Sequence, residues 1–377
     1  MNTKKRCASK NEVKIASLGL VFFLCFFTSC IPLKSIFFGH PDAKDTNRFR
    51  QKELSSDICF SFHKSIQDKE FKVSDWTTDK PRFESAIDVF KEHSVRAFVL
   101  IQNDTIKAEY YRKGFDESSM HPSYSLAKSF ISSLIGIAID EGHIKSVNQK
   151  VRTFIPEILL NKNGEQLSIK HLLNQTSGIT FSLSQDARLY YGKNLGAELE
   201  KIEFSYNPGE KQEYLNINTQ LLGIIIKRAT GFSVSEYAQQ KLWTSIGMCR
   251  SGIWSTDHSD VEKSFCCLSA TALDYAKFGR LYLNKGVWEG EQVFSTQWYN
   301  QSIKRDTAQG SSYNYNYSWH IGLKEYNDYM AIGLYKQHIY VSPKKKIVIV
   351  LLNDRENKLK AERINWWFIF RQLVDQL

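Results

Sequence analysis

The 377-residue sequence has little of what metal-binding and phosphate-binding proteins need. Its seven cysteines include no C-x-x-C pair, and the adjacent Cys266 and Cys267 lack the partnering histidines of a zinc site. The sequence also lacks a Gly-rich phosphate loop, the H-E-x-x-H of zinc proteases and the G-x-S-x-G of α/β-hydrolases. We therefore expect neither a metal nor another cofactor.

Clusters of basic residues are also scarce. Lysine and arginine number 50 against 40 aspartates and glutamates, and the net charge of +10 would by itself suit an anionic surface. The two short basic clusters, at residues 4–6 and 344–346, do not alternate with aromatic residues as a nucleic-acid groove requires. We expect no nucleic-acid partner. The hydrophobic content of 42% predicts a globular protein with a substantial core.

The first 30 residues have the pattern of an export signal. Basic residues between positions 4 and 14 precede an uncharged run over 15–27. The run ends in "FTSC", which resembles the lipobox of bacterial lipoproteins, in which the cysteine, here Cys30, is lipidated. The alternatives are a soluble protein released by cleavage and an uncleaved anchor continuing towards Phe38, which Pro32 and Lys34 would interrupt. We favour an exported lipoprotein, held by its lipid at the cell-envelope membrane and facing the periplasm or the exterior.

The remaining cysteines have a simpler interpretation. Cys59, Cys249, Cys266 and Cys267 follow the signal and are expected to be small buried hydrophobic residues. An exported protein could form a disulfide among them, but the sequence does not specify which pair.

The chain divides by composition into a signal, a tether and one domain. Residues 31–80 are mostly polar with little periodicity and predict a tether with some local structure, whereas residues 81–377 form the domain. In the domain, "VRAFVLIQ" and "TIKAEYYRK" bracket Asn103 and Asp104 and predict a hairpin. Further strands are predicted at "KQHIYVS" and "KIVIVLLN", before a C-terminal helix.

Helical patterns fill the region between these strands. Helices are predicted at residues 83–93 and 125–141, around "IKHLLNQ", over "NTQLLGIIIKRAT" with Asn218 as its cap, and over "ATALDYAKFGRLYL". Strands at both chain ends with helices between them predict an α+β fold. Its antiparallel sheet would be built from both ends, with a mostly helical subdomain inserted at about 123–290.

A serine and a lysine three residues apart stand at the head of an apolar helix. In "YSLAKSF", Ser125 and Lys128 share one helical face, so the lysine amine can reach the serine hydroxyl and take its proton. Burial in the apolar segment would lower the lysine pKa enough for this role. Two further S-x-x-K strings start at Ser61 and Ser342, and neither opens an apolar helix. The alternative is a helix-capping serine beside a solvent-exposed lysine.

A second group of polar residues follows Pro208 and Gly209. Tyr214 and Asn216 lie just before a predicted helix, where a tyrosine can relay a proton to a leaving group and an asparagine can hold substrate or Lys128. A second "YLN", at residues 282–284, is instead expected to be a helix C-terminus with a packed tyrosine.

These motifs, in this order, resemble one enzyme superfamily. Ser125-x-x-Lys128, "HLLNQTSGI" and Tyr214-x-Asn216 are similar to motifs of serine β-lactamases and penicillin-binding proteins, in the branch of class C β-lactamases, esterases and 6-aminohexanoate-oligomer hydrolases. The stretches "GIAIDEGHI", "PGEKQEY", "LSATALDYAKFGRLYLNKG" and "YSWHIG" extend the resemblance over about three quarters of the chain. The resemblance implies the β-lactamase/transpeptidase-like fold and a serine acyl-enzyme.

The third motif of that superfamily is a K-T-G or H-x-G on a strand lining the site, and no K-[ST]-G occurs in this sequence after Tyr214. Its place is taken by "AIG", ending at Gly333, so the basic residue that grips a substrate carboxylate is missing. The resemblance implies that the backbone N–H groups of Ser125 and Leu334 form an oxyanion hole. An efficient β-lactamase is therefore not expected.

The sequence thus predicts a serine hydrolase for a small-molecule or peptide-like ester or amide. Ser125 would be the nucleophile, Lys128 the general base and Tyr214 the proton relay, with Tyr190 and Tyr191, in a loop, either lining the leaving-group side or packing. The alternative is a catalytically weak protein of the same fold that binds or senses penicillin or peptidoglycan.

One further motif match is not adopted. "EILLN", starting at Glu157, fits the E-x-x-L-N string of class A β-lactamases, but it precedes the second motif instead of following it.

Overall fold

The computed structural model describes residues 40–65, 69–74, 83–160, 162–354 and 364–377. The strands of the described residues are β1 (Arg50–Leu54), β2 (His63–Lys64), β3 (Lys72–Ser74), β4 (Phe83–Ser85), β5 (Val95–Gln102), β6 (Thr105–Tyr111), β7 (His121–Pro122), β8 (Ile179–Thr180), β9 (Glu203–Phe204), β10 (Gly252–Thr256), β11 (Leu268–Ala270), β12 (Val287–Trp288), β13 (Glu291–Gln292), β14 (Tyr315–Asn316), β15 (Trp319–Ile321), β16 (Tyr329–Gly333), β17 (Gln337–Ser342) and β18 (Ile347–Asn353). The α-helices are α1 (Ala86–Glu92), α2 (Ala127–Asp140), α3 (Ile169–Leu173), α4 (Leu183–Tyr191), α5 (Asn216–Thr230), α6 (Val234–Ala238), α7 (Ala272–Leu283), α8 (Thr296–Ser302) and α9 (Trp366–Asp375).

Eight strands form the central sheet, in the order β14-β15-β16-β17-β18-β5-β6-β2. All neighbours are antiparallel except the short pair β2 and β6. Strands β5 and β6 come from the first third of the chain, and β14 to β18 come from its last fifth. The predicted α+β fold, with a sheet built from both chain parts, is confirmed.

The centre of the sheet is apolar on both faces because helices cover both sides. All seven residues of β18 are buried, and β18 pairs with β5 along its whole length. Helix α7 packs on one face, while α1 and α9 contribute to a second hydrophobic cluster on the other. The predicted hairpin of β5 and β6 is also confirmed: Asn103 and Asp104 both have positive φ, as its two-residue turn requires.

Helix α2 is a core helix with no solvent-facing side over most of its length. Residues 127–138 are all buried, and the ring of Phe130 stacks on Phe278 with centroids 3.8 Å apart. A helix that is apolar all round must be enclosed by other elements. The N-terminal end of this buried helix fixes the position of the serine and lysine that the sequence singles out.

Two predicted helix starts are wrong by two or three residues. Residues 83–85 form strand β4, so α1 starts only at Ala86. Helix α5 starts at Asn216, and Asn218 is therefore not its cap. The Asn218 side chain instead donates to the Gln175 Oε1 at 2.8 Å, a long-range contact that a local capping rule does not anticipate.

Residues 40–65 pack on the domain. The prediction of a tether over residues 31–80 is therefore wrong for this part of the chain. Strand β1 pairs antiparallel with β10 over five residues, and β2 pairs with β6. A disulfide joins Cys59 to Cys249. Strand β1 is polar and lies at the edge of its sheet. Because an edge strand is held mainly by backbone hydrogen bonds, it needs little apolar periodicity, and its sequence pattern does not identify it as a strand.

No helix of the described residues is long and apolar enough to cross a membrane. The predicted signal and lipidated Cys30 lie outside the described residues.

Candidate active site

The proposed nucleophile lies in a tight turn at the entrance of helix α2. Residues Tyr124–Leu126 form one turn of 3-10 helix immediately before α2, and Tyr124 has a positive φ of 45°. This turn places the Ser125 Oγ 2.9 Å from the Lys128 Nζ, while Lys128 itself is 1% exposed. The predicted i, i+3 contact between serine and lysine is therefore present.

The Lys128 amine has three hydrogen-bond partners. Besides Ser125, the Asn216 Oδ1 and the backbone oxygen of Phe265 each accept from Nζ at 2.8 Å. Those two oxygens can only accept, so a neutral amine would donate its two protons to them. Its lone pair would then be left for the hydroxyl proton of Ser125, which is the arrangement that a general base requires.

The electrostatics favour that neutral amine near physiological pH. Burial lowers the pKa of Lys128 to about 7, and the negative charge of Asp186 acts in the opposite direction. Half of the lysine population is consequently unprotonated near pH 7, which a solvent-exposed lysine would not be.

Tyr214 contacts the same serine from the other side of the cleft. About half of its surface is exposed, at 47%, and its ring lies 5.1 Å from the Lys128 Nζ. Although the residue as a whole is half exposed, the surrounding cleft removes water from the phenol and raises the Tyr214 pKa to about 12, against the opposing effect of a hydrogen bond with Ser125. Tyr214 is therefore a protonated donor at neutral pH, whereas Lys128 is the available acceptor.

The segment that carries Tyr214 is held in place by Gln175. The N–H of Glu213 donates to the backbone oxygen of Gln175, and the N–H of Leu215 donates to its Oε1, each at 2.8 Å. Gln175 has a positive φ of 61° and is fully buried. The "NQTSG" string thus supports the tyrosine segment from behind and does not face the substrate.

Asn216 connects the lysine to an acidic residue that the sequence analysis missed. Its Oδ1 accepts from Lys128, and its Nδ2 donates to the Asp186 Oδ1 at 2.9 Å. Asp186 lies on α4, 30 residues before Asn216. The carboxylate fixes the orientation of the asparagine amide, so that the amide oxygen faces Lys128.

The end of strand β16 approaches the nucleophile turn as the resemblance implied. A Cβ on Gly333 would lie 2.4 Å from the backbone oxygen of Ser123, so only glycine permits this close approach. The next residue, Leu334, lines the cleft and is 45% exposed. The positions of Gly333 and Leu334 beside Ser125 are compatible with the predicted oxyanion hole.

These residues surround a cavity of about 410 Å³. Its lining includes Ser125, Tyr214, Asn216 and Leu334, together with several aromatic side chains. Among the described residues that line it, Asp186 carries the carboxylate and none is lysine or arginine. The cavity therefore offers no surface cation to a substrate carboxylate.

Tyr190 and Tyr191 do not lie in a loop as predicted but in the last turn of α4. Both line the cavity, and they are only 9% and 8% exposed because their rings pack edge to face at 4.7 Å. The Tyr190 hydroxyl donates to the Asp45 Oδ2 at 3.0 Å. They thus pack and line the cavity at the same time.

Cys266 and Cys267 are buried as expected and Cys249 is half-buried, but the expectation is wrong for Cys59, which is exposed, and all four are paired in disulfides. Cys266 and Cys267 form a disulfide between neighbouring residues, directly after the Phe265 carbonyl that accepts from Lys128. Cys266 lines the cavity, and Cys267 has a positive φ of 70°. This pairing has no recognisable sequence signal beyond adjacency.

The other motif copies have structural roles. Lys64 pairs with Glu109 at 3.1 Å, which raises the Lys64 pKa and keeps it charged, and the lysine of the third S-x-x-K string is exposed. The tyrosine of the second "YLN", Tyr282, is buried with its hydroxyl 2.9 Å from Ser133.

The rejected E-x-x-L-N match also has a structural role. Glu157 forms two hydrogen bonds with Arg228, at 2.7 and 2.8 Å, on an exposed part of the surface.

Comparison with known proteins agrees with this geometry. The Beta-lactamase family model matches residues 83–373. The 6-aminohexanoate-dimer hydrolase of Paenarthrobacter ureafaciens is 26% identical over 290 residues, which are 70% of this chain and 74% of the relative. The structure of a proposed 6-aminohexanoate-dimer hydrolase from Bacillus anthracis has a TM-score of 0.77 at 24% identity and covers 87% of this chain and 91% of its own.

A more distant structure has the same fold. The octameric penicillin-binding protein homologue from Pyrococcus abyssi has a TM-score of 0.58 at 20% identity and covers 76% of this chain and 74% of its own. The superfamily resemblance inferred from the motifs is confirmed. The chain belongs to the Beta-lactamase family, within the superfamily of serine β-lactamases and penicillin-binding proteins, and is a hydrolase of the serine β-lactamase fold.

Proposed function

We propose that this protein cleaves an ester or amide through an acyl-enzyme on Ser125. The observation that carries the proposal is the environment of the Lys128 Nζ. Two obligate acceptors, Asn216 Oδ1 and Phe265 O, take its two protons, and the Ser125 Oγ lies 2.9 Å from it. Such an arrangement suits a neutral amine that accepts the serine proton.

The acylation step can be assigned atom by atom. The Ser125 Oγ gives its proton to the Lys128 Nζ and forms a bond to the substrate carbonyl carbon, whose oxygen becomes negative. The backbone N–H groups of Ser125 and Leu334 are the proposed donors to this oxygen. Tyr214 then gives its proton to the leaving oxygen or nitrogen as the bond to the acyl carbon breaks, and the tyrosine is reprotonated from Lys128.

Hydrolysis of the acyl-enzyme reverses the same proton path. A water molecule in the position of the leaving group attacks the acyl carbon and gives a proton to the neutral Lys128, either directly or through Tyr214, which then passes its own proton on to Lys128. The bond from that carbon to the Ser125 Oγ breaks, and the oxygen regains its proton. No other acid or base is needed for the cycle.

The lining of the cavity favours a substrate without a charged end group over a β-lactam. The strand position of the third motif reads Ala331-Ile332-Gly333, with no basic residue in the triad, and no lysine or arginine lines the cavity within the described residues. A carboxylate would therefore lose its water shell without a cation in return. The name of the Paenarthrobacter relative makes 6-aminohexanoate dimer one amide to assay alongside short esters, and its terminal carboxylate makes it a test of this preference: the cavity lining predicts that short neutral esters are cleaved faster.

The first experiment is hydrolysis of p-nitrophenyl butyrate by the unmutated protein and by Ser125→Ala. We expect turnover that is lost in Ser125→Ala and retained in the matched controls Ser61→Ala and Ser342→Ala, which alter the other two S-x-x-K strings. Equal inactivity of the unmutated protein and Ser125→Ala would contradict a hydrolase. A stable penicillin adduct without turnover would then favour the binding or sensing alternative.

We also propose that the protein is an exported lipoprotein attached through Cys30, with residues 1–30 as its signal. The support is the basic and apolar pattern before "FTSC". Metabolic labelling with a radioactive fatty acid should mark the protein and not its Cys30→Ala variant. Labelling of both would contradict attachment at this cysteine.

A further inference from the structure

The first described residues of the chain lie across the active-site cavity. We call residues 40–49 the strap. His40 and Pro41 line the cavity together with Ser125. The Tyr335 hydroxyl donates to the backbone oxygen of Pro41 at 2.5 Å. Tyr335 directly follows Leu334, whose N–H is the second proposed donor of the oxyanion hole.

A buried carboxylate attaches the middle of the strap. Asp45 is only 1% exposed, accepts from the Tyr190 hydroxyl at 3.0 Å and pairs with Arg48. The Asp42 and Asp45 side chains also form reciprocal caps on the short helix Ala43–Arg48. Burying a carboxylate is unfavourable unless its partners are held in place, so this contact requires one fixed position of the strap.

Aromatic packing secures the end of the strap. The Phe49 ring contacts Tyr190 edge to face at 5.4 Å and lies 6.5 Å from Tyr191. The Lys263 Nζ also lies over the Phe49 ring, 4.7 Å from its centroid. Strand β1 follows at once and pairs with β10, so the strap is continuous with a sheet. Tyr190 and Tyr191, two of the tyrosines that line the cavity, are thereby packed against the strap.

Through Tyr335, the strap is also connected to both sides of the proposed oxyanion hole, the turn after Gly333 and the turn that carries Ser125. Tyr335 and Lys336 have positive φ values of 59° and 62°, and Tyr124, just before the nucleophile, has 45°. The Tyr124 and Tyr335 rings pack edge to face with centroids 5.3 Å apart. Left-handed backbone at non-glycine residues costs free energy and persists only where surrounding contacts enforce it. The Pro41 carbonyl is one such contact for Tyr335.

We propose that the strap is a wall of the substrate cavity and positions the Leu334–Lys336 turn for the oxyanion hole. The inference rests on the proposed hydrolase function for its kinetic consequence, whereas the bracing of the turn is a separate physical claim. Tyr335 and Tyr190 are then positioning residues, which act through the strap.

The test uses three variants of the full-length protein that each remove one hydrogen-bonded tyrosine hydroxyl. Tyr335→Phe deletes the contact with Pro41, and Tyr190→Phe deletes the contact with Asp45. Tyr340→Phe is the matched control because the Tyr340 hydroxyl donates to the Asp328 Oδ2 at 2.9 Å. Like Asp45, that buried carboxylate also pairs with an arginine, and Tyr340 packs against α9 on the opposite face of the sheet.

Two measurements are made on each variant: the kinetics of p-nitrophenyl butyrate hydrolysis and amide hydrogen exchange. We expect Tyr335→Phe to lower kcat for p-nitrophenyl butyrate about tenfold at nearly unchanged KM, less than the 10²–10³-fold loss typical of a deleted oxyanion donor. We expect Tyr190→Phe to raise KM, more for longer acyl chains, because the cavity wall loosens. Amide hydrogen exchange should accelerate at residues 334–336 in Tyr335→Phe and within the strap in Tyr190→Phe, but at neither place in Tyr340→Phe.

The outcomes separate this inference from the hydrolase proposal. Unchanged exchange at 334–336 in Tyr335→Phe would overturn the bracing, whether or not the protein is active. Equal kinetic losses in Tyr340→Phe would also overturn it, because they would indicate general destabilisation. An unmutated protein that hydrolyses no ester or amide would refute the hydrolase proposal, while the exchange data would still decide the role of the strap.

Discussion

The environment of Lys128 predicts a specific pH dependence. Because the neutral amine is the proposed base, kcat/KM should rise with pH through the Lys128 pKa of about 7 and then level off. At pH 6, one unit below that pKa, about one lysine in eleven is neutral, so activity should be about tenfold below its plateau. We call this rise in activity the acid limb of the pH profile. Tyr214, with a pKa of about 12, keeps its proton over this range and does not contribute to the acid limb.

Asp186→Asn is the perturbation that tests this assignment. The carboxylate of Asp186 raises the Lys128 pKa, and its Oδ1 also orients Asn216. An asparagine at 186 keeps an oxygen that can accept from the Asn216 Nδ2 but removes the charge. The Lys128 pKa should therefore fall, and the acid limb should move to lower pH. A fall of one pKa unit corresponds to about 1.36 kcal/mol and would raise the neutral fraction at pH 6 from about one in eleven to about one half, a gain in activity of about fivefold relative to the plateau.

The assay is kcat/KM for p-nitrophenyl butyrate between pH 5 and 9. Histidine is the side chain that most often changes charge near neutral pH, and His40 lines the cavity, so His40→Gln serves as the control. The acid limb should stay in place in His40→Gln and move down in Asp186→Asn. A limb that moves up in Asp186→Asn, or disappears in His40→Gln, would refute the assignment of Lys128 as the titrating base.

Three further substitutions test other parts of the site and fold. Gly333→Ala should lower kcat about tenfold or more, since its Cβ would lie 2.4 Å from the Ser123 oxygen and displace the strand end. Unchanged kinetics in this variant would contradict the role of Gly333 in placing the oxyanion hole. Tyr214→Phe should slow amide hydrolysis about 100-fold and p-nitrophenyl esters much less, because p-nitrophenolate leaves without a proton; equal losses would argue against the relay. Replacing both Cys59 and Cys249 by serine should lower the free energy of unfolding in urea by about 2–5 kcal/mol, and an unchanged midpoint would contradict the pairing.

The parts of the structure that were predictable are those encoded by local pattern. The uninterrupted apolar run of β18 and the two strand-like segments that bracket Asn103 and Asp104 identify strands without tertiary information. The contact between Ser125 and Lys128 follows from helical spacing alone. That Asn216 meets the same lysine across 88 residues was suggested by the superfamily resemblance and not by spacing.

The parts that were missed depend on long-range contacts. The Phe265 carbonyl that accepts from Lys128 is a backbone atom, which leaves no trace in the sequence. Asp186 stands among ordinary polar residues of α4, and its role is apparent only once Asn216 is placed beside it. The strap is mostly polar and its sequence predicts a tether, although the buried Asp45, the Phe49 ring and the Pro41 carbonyl hold it against the domain.

The most direct test of the central claim is covalent labelling with a fluorophosphonate, followed by mass spectrometry of the digested protein. The proposed mechanism predicts one adduct, on the peptide that contains Ser125, which is absent in Ser125→Ala and retained in Ser61→Ala and Ser342→Ala. A labelled serine elsewhere, or no label on a folded protein that still hydrolyses p-nitrophenyl butyrate, would contradict the serine acyl-enzyme at Ser125.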